Sequence, residues 1–315
     1  EDEGVAPDLD LPAVDAAIRE VTAAEILPRF RRLGSGDVRS KSEPSDLVTE
    51  ADEAAERLIR RELEALAPDA LFVGEESVAA DPSLLAKLGS SDFAIVVDPV
   101  DGTFNFASGI PAFGVMASVV WKGETVAGII YDPMGDDWVM AEKGGGAWLR
   151  RPSGEAVRLQ VAAALPLPEM VGTASVAFMP EASRGRVLNN FTRVRMVVNY
   201  RVAGHEYRTF ASGHTQFVCF NKLMPWDHLP GVLISQEAGA YAARLDGSAY
   251  LPTVVALDRP LLADPRLLQV LQLVVERHLK AVRVIADRVP LVAVVRVRKV
   301  EPPVEVDAVE FAHHH

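Results

Sequence analysis

Two carboxylates and a hydroxyl crowd one short stretch, Asp98-Pro99-Val100-Asp101-Gly102-Thr103. The apolar run from Phe93 to Val97 ahead of it reads as a buried strand that ends on Asp98. Pro99 cannot donate to a sheet ladder and biases Asp98 toward an extended backbone. Gly102 permits a sharp turn or the close approach of a ligand, and Thr103 follows it. Oxygen donors aimed at one point suit a hard cation and an oxyanion, and they select Mg²⁺ or Mn²⁺ over softer metals. A strand followed by an ordinary polar turn accounts for the same residues, so the stretch must be weighed with the rest of the chain.

Other candidate groups lie on separate elements. Asp10 and Pro12 open a helix whose apolar positions are Val14, Ile18, Val21, Ile26 and Phe30. Leu33 to Asp37 breaks it, and Lys41 starts a polar loop. Thr49 caps a second helix. Asp52, three residues on, serves equally as the acid of a capping box. Ala70 to Val73 is a short strand before Gly74-Glu75-Glu76-Ser77, a pattern that ordinarily means a solvated turn. Asp81 to Leu88 reads as a helix. From Gly114 to Val161 apolar runs alternate with turn signals, among them Lys122-Gly123-Glu124, and predict an antiparallel meander. Beyond a boundary at Leu165 to Pro168, strands at 170–173, 196–198, 218–220 and 254–257 alternate with helices at 181–191, 227–238 and 261–279. Asp227 opens its helix, where the dipole favours an anion in any case. The expected division is 1–165 as an α+β half, 166–280 as an α/β half, and 281–315 as an appended tail. That tail holds one possible strand, Leu291 to Val297, and ends on three histidines that read as part of an affinity tag.

The composition bounds the function. The 315 residues carry a formal net charge of −12, which argues against a nucleic-acid partner. A phosphorylated substrate stays open, because bound cations reverse the local field. The single cysteine, Cys219, excludes an internal disulfide and fits a reducing, cytoplasmic setting. No apolar run reaches the ~18–20 residues of a membrane span, and Glu1-Asp2-Glu3-Gly4 does not resemble a signal peptide.

Four segments, in order, resemble the inositol monophosphatase family of Mg²⁺-dependent, lithium-sensitive phosphatases: Lys41-Ser42 running on to Asp46-Leu47-Val48-Thr49-Glu50-Ala51-Asp52; Gly74-Glu75-Glu76-Ser77; Asp98 to Phe106; and Pro225-Trp226-Asp227 with Gly231 and Glu237-Ala238-Gly239. The resemblance covers roughly residues 10 to 280. It implies a layered αβαβα sandwich like that of inositol monophosphatase and fructose-1,6-bisphosphatase, with an α+β half and an α/β half. It also implies a homodimer and hydrolysis of a small phosphorylated metabolite. Glu75, Asp98 and the Val100 carbonyl resemble ligands of a first ion. Asp98, Asp101 and Asp227 resemble those of a second, with Glu75 reaching a third. Mn²⁺ would substitute for Mg²⁺, and Li⁺ would inhibit. Thr103 and Asp52 resemble the pair that activates water, the Gly102 and Thr103 amides would hold phosphate, and Lys41 belongs to a loop that closes over the site.

The chain also departs from the family pattern. Where the family carries a small-residue turn and, seven positions before the last aspartate, an acid, this chain has Arg201 to Phe210 and then Phe220. Those positions meet sugar or inositol hydroxyls in the family. Their replacement by the segment Gly204 to Arg208, with His205, Glu206 and Arg208, and by Asn221 and Lys222 points to a leaving group with a second anion, although an exposed helix start explains the first segment. Histidinol phosphate, fructose bisphosphate, nucleotide 3′-phosphates and NADP are rival substrates within the class. A non-catalytic metal- or phosphate-binding regulator is the rival outside it, and the retained acids and threonine speak against that. On this reading residues 281 to 315 should be dispensable for chemistry.

Overall fold

The computed structural model describes residues 9–34, 36–41, 46–179, 181–244, 248–252 and 292–295. Helix α1 (Leu11–Val21) starts where the Asp10 side chain accepts from the Ala13 amide, with Pro12 in the first turn. It continues as a π turn, Thr22–Ile26, and a 3₁₀ turn, Leu27–Arg29. Pro28, with no amide hydrogen, cannot carry an α ladder further. A ribbon of β1 (Val38–Ser40) and β2 (Leu47–Thr49) leads into α2 (Glu50–Leu66). Thr49 and Asp52 form a reciprocal capping box there.

Seven strands form the first sheet: β3 (Leu71–Gly74), β4 (Phe93–Asp101), β5 (Gly114–Trp121), β6 (Glu124–Asp132), β7 (Asp137–Glu142), β8 (Gly146–Arg150) and β9 (Ala156–Arg158), in that spatial order. β3 lies parallel to β4, and the rest is the expected antiparallel meander. Lys122 and Gly123 both take positive φ at the β5–β6 turn, the twist-compatible two-residue hairpin. Two helices, α3 (Glu75–Ala80) and α4 (Ser83–Ser90), link β3 to β4, so the paired glutamates open a helix instead of a solvated turn.

Strand parity sorts β4 between two cores. Ile95 and Val97 pack with α1 and α2, whereas Ala94 and Val96 pack with α7 (Ala203–Ala211) and α8 (Pro225–Glu237). The second sheet has the order β11 (Met196–Val198), β10 (Val171–Ala174), β12 (Phe217–Phe220), β14 (Val292–Val295), β13 (Tyr241–Arg244). Val218 and Phe220 of β12 face α7 and α8, while Phe217 and Cys219 face α6 (Glu181–Phe191), with Val187 and Phe191 in that outer core. The layers are therefore helices, sheet, helices, sheet, helix: an αβαβα sandwich. The middle helix pair shares one continuous core with both sheets. α7 and α8 approach closely because Gly231 leaves room for the Tyr207 ring, which would lie 2.1 Å from a Cβ at that position.

The chain crosses from the first sheet to the second between Arg158 and Val171. The strand expected at 254–257 and the helix at 261–279 lie outside the described residues. The appended tail is corrected at 292–295: those residues pair antiparallel with both β12 and β13, inside the second sheet. A four-residue Val-rich run has the same local pattern whether or not it has partners, so periodicity could not place it.

Candidate active site

Asp98 and Asp101 occupy the end of β4, where the ladder to β5 slips between them. Such a bulge re-aims side chains that a regular strand would send to opposite faces. Asp227 comes from the first turn of α8. One carboxylate oxygen from each of the three lies within 4.8 Å of the others. Glu75, at the start of α3, lines the same cleft together with Val100, Gly102 and Thr103.

The elements beneath hold these groups in place. The Val100 amide donates to Asp98 Oδ1 at 3.0 Å. Asp101 takes two amides from the start of α7: Ala203 N reaches Oδ1 at 3.0 Å and Gly204 N reaches Oδ2. Each carboxylate oxygen has a second acceptor direction, so these bonds orient Asp101 without exhausting it. Gly102, at φ +87°, turns the chain into the short helix α5 (Thr103–Ala107). Thr103 Oγ1 lies 2.9 Å from Asp52 Oδ1 and 3.0 Å from the Val100 carbonyl oxygen. The other oxygen of Asp52 receives the Thr49 amide and hydroxyl. Capping and contact with Thr103 are thus compatible roles of one side chain.

Electrostatically this cluster is unbalanced. Burial, then the proximity of Glu75, Asp101 and Asp227, pushes the Asp98 carboxyl well above its ordinary range. Burial and Asp227 do the same to Asp101. Burial also raises Asp52 to about 6. Glu75 is pushed to about 7 by burial, against the pull of Lys41. Lys41 Nζ sits 2.8 Å from Glu75 and 2.5 Å from Glu76. Burial opposes its charge, but the two glutamates outweigh that and hold the ammonium above its usual pKa. Crowded, desolvated carboxylates favour either protons or a multivalent cation. The all-oxygen donor set at Asp98, Asp101 and Asp227 fits Mg²⁺.

Residues 10–287 match the family model described as the inositol monophosphatase family. The chain belongs to the inositol monophosphatase family. It is 33% identical over 215 residues to an inositol-1-monophosphatase of Rhizobium meliloti (strain 1021), covering 65% of this chain and 74% of that one. It is 29% identical over 212 residues to a fructose-1,6-bisphosphatase/inositol-1-monophosphatase of Thermotoga maritima, covering 67% and 76%. Among solved structures, the extragenic suppressor protein suhB from Bartonella henselae superposes with a TM-score of 0.62 at 29% identity, over 76% of this chain and 86% of that one. Membership makes this chain a phosphatase, a phosphoric monoester hydrolase.

The structure brings some further candidates to the cleft and leaves others away from it. Glu206, Phe220 and Lys222 line it. His205 and Arg208 are not among the lining residues. One α-helical step of about 100° separates His205 from Glu206, and Arg208 sits on the same side as His205. His205 Nε2 lies 3.1 Å from the Phe113 carbonyl oxygen, and Arg208 pairs with Asp137 and the Ile130 carbonyl. The expected leaving-group contacts of these two residues are corrected accordingly. Two contributors, Glu56 and Arg201, escaped sequence reasoning. Buried Glu56 accepts the amides of Glu76 and Ser77, both at 2.7 Å, and so anchors the α3 turn that carries Glu75. Its signal was available: Asp52 and Glu56 fall one turn apart on the otherwise apolar face of α2. Asn221 is buried. With its amide oriented to satisfy both ends, Nδ2 donates to the Ser175 carbonyl at 2.9 Å and Oδ1 accepts the Met179 amide at 3.0 Å. Arg201 lines the cleft as well.

Proposed function

We propose that the chain hydrolyses a small phosphorylated alcohol in this cleft, with Glu75, Asp98, Asp101, Asp227 and the Val100 carbonyl holding two or three Mg²⁺ ions. The observation that carries the reading is the convergence of Asp98, Asp101 and Asp227 beside a hydrogen-bonded Thr103–Asp52 pair. When bound, the ions supply neutralisation of phosphoryl oxygens and acidification of water. The chain's own residues do the remaining work. Thr103 donates its hydroxyl proton to Asp52, which leaves the threonine lone pairs free to accept from a water in the cleft. Asp52, raised to about 6, is a competent proton acceptor near neutral pH. The Gly102 and Thr103 amides hold phosphate oxygens. Lys41, paired with Glu75, keeps that carboxylate's second face neutralised.

On the same reading Mn²⁺ substitutes for Mg²⁺, Li⁺ inhibits, and the enzyme works as a cytoplasmic homodimer. No described helix is long and apolar enough to cross a membrane. The test is phosphate release from a panel of phosphomonoesters with Mg²⁺. Turnover is expected to disappear in excess chelator and return with Mg²⁺ or Mn²⁺. Full activity in EDTA, or no hydrolysis of any phosphomonoester with either metal, would overturn the reading.

A further inference from the structure

We propose that Arg201, with Lys222, which also lines the cleft, binds a second anionic group, a carboxylate or a phosphate, on the leaving-group side of the substrate. This rests on the phosphomonoesterase reading above and names the substrate class of that site.

Arg201 is held in an unfavourable backbone. Its φ is +57°, left-handed, which a residue with a long side chain adopts rarely. Three side chains fix the turn that imposes it. Glu206 Oε1 accepts the Tyr200 amide at 2.9 Å, Asn199 Oδ1 accepts the Arg201 amide at 2.8 Å, and Asn105 Nδ2 donates to the Tyr200 carbonyl at 2.8 Å. Glu206 is only 1% exposed, a costly place for a carboxylate. A strained conformation that buried polar groups sustain points to a positional demand on the side chain it presents. That side chain lies flat on Phe104, its guanidinium carbon 3.4 Å from the ring centroid, and makes no ion pair with any described residue. The aromatic face fixes the plane of the guanidinium and leaves its N–H fork for an anion.

Lys222 is positioned in a comparable way. Its Nζ lies 4.8 Å from the Phe178 ring centroid and 3.5 Å from Asp46 Oδ1. Asn221 ties down the Ser175–Met179 loop that carries Phe178, and His228 Nε2 holds the Lys222 carbonyl at 2.6 Å. Phe220 has no acceptor, and Glu206 Oε2 is sealed from solvent. The chain's net charge of −12 repels a doubly anionic substrate at long range, so local cations must supply the attraction.

The test compares glycerol 3-phosphate with 3-phosphoglycerate, which differ by a hydroxymethyl against a carboxylate, and adds propane-1,3-diol bisphosphate as the phosphate arm. All are assayed with Mg²⁺ in wild type, Arg201→Gln, Arg201→Lys and Lys222→Gln. Wild type is expected to favour both anion-bearing substrates in kcat/KM. Arg201→Gln should reduce that preference by about ten- to hundred-fold, the range for losing a charge-assisted hydrogen bond, mainly through KM. Arg201→Lys should restore part of it, and Lys222→Gln should give a smaller loss because Asp46 already shares that charge. Equal kcat/KM for the matched pair in wild type, or equal losses on both in Arg201→Gln, would overturn the proposal while leaving the phosphatase reading intact. Failure on all three while another phosphomonoester of the panel is turned over would overturn the proposal alone, and failure on the whole panel would remove both.

Discussion

The three convergent aspartates are not equivalent as individual residues. Asp98 sits at the centre, with Glu75, Asp101 and Asp227 all acting on it through space. Asp52 touches only Thr103 and the start of its own helix. Asp98→Asn is therefore expected to abolish measurable turnover and weaken Mg²⁺ binding. Asp52→Asn should cost about 10–100-fold in kcat, the usual scale for a group acting through another, with Mg²⁺ affinity nearly intact. Comparable losses of metal affinity in both variants would contradict the assignment. A second acid, outside the cleft, sets burial against a neighbouring charge. Asp15 on α1 is 6% exposed, one of its oxygens has no partner, and burial raises it to about 6 despite the pull of Arg19. Its folded pKa lies above its ordinary 3.8, so the folded state binds the extra proton. Its contribution to stability is then full below about pH 4 and lost as pH rises through about 6. Asp15→Asn should flatten that part of the Tm–pH curve and raise stability above pH 7 by about 1–3 kcal/mol. A variant less stable than wild type at pH 8 would show that the Arg19 contact outweighs the burial.

Among the elements, β14 carries the most consequence. It separates β12 from β13 and pairs with both along Val292–Val295. β12 ends at Phe220, directly ahead of Asn221, Lys222 and, five residues later, Asp227. Removing β14 would open the edges of two strands and leave the segment that delivers Asp227 supported on one side only. A truncation after Lys280, once expected to be harmless, should lower Tm by roughly 5 °C or more and increase aggregation. Unchanged Tm and specific activity in the truncated chain would show that the pairing contributes nothing to the fold. The helices make a different point. α1 and α2 were readable because cap, apolar spacing and stop are all local, as Asp10 with Ala13 and Thr49 with Asp52 show. α7 was not among the expected helices, only a helix start near His205 being considered, and its rotation decides that Glu206 meets the cleft while Arg208 meets Asp137.

At the scale of the whole molecule, the cleft lies where β4 of the first sheet, the start of α8 and the turn before α7 meet. The carboxylates it gathers cannot all ionise there without a counter-charge. Cation binding should consequently stabilise the entire fold. At about a hundred times Kd, Mg²⁺ should add about 2.7 kcal/mol, visible as a rise in Tm over the chelated protein. Asp98→Asn should lose that increment, and its metal-free Tm should not fall, because the substitution relieves repulsion. A wild-type Tm that ignores Mg²⁺ would argue that the cluster is satisfied by protons alone.

Local chemistry was legible from residue order by itself. Asp98, Asp101, Gly102 and Thr103 are neighbours in sequence, so strand end, turn and donor types could be read without knowing the fold. Asp227 became a candidate only beside the other segments, since a helix-opening aspartate has an ordinary explanation. Tertiary structure decided the relations that no local pattern encodes: the bulge that turns Asp98 and Asp101 toward Asp227, the burial of Glu56 under Glu75, the rotation of α7, the strained Arg201 over Phe104, and the insertion of β14 between strands far from it in sequence. Each depends on which distant surfaces pack together. Helical phase and strand partnership are fixed by burial against other elements, and propensity and periodicity carry no information about those partners.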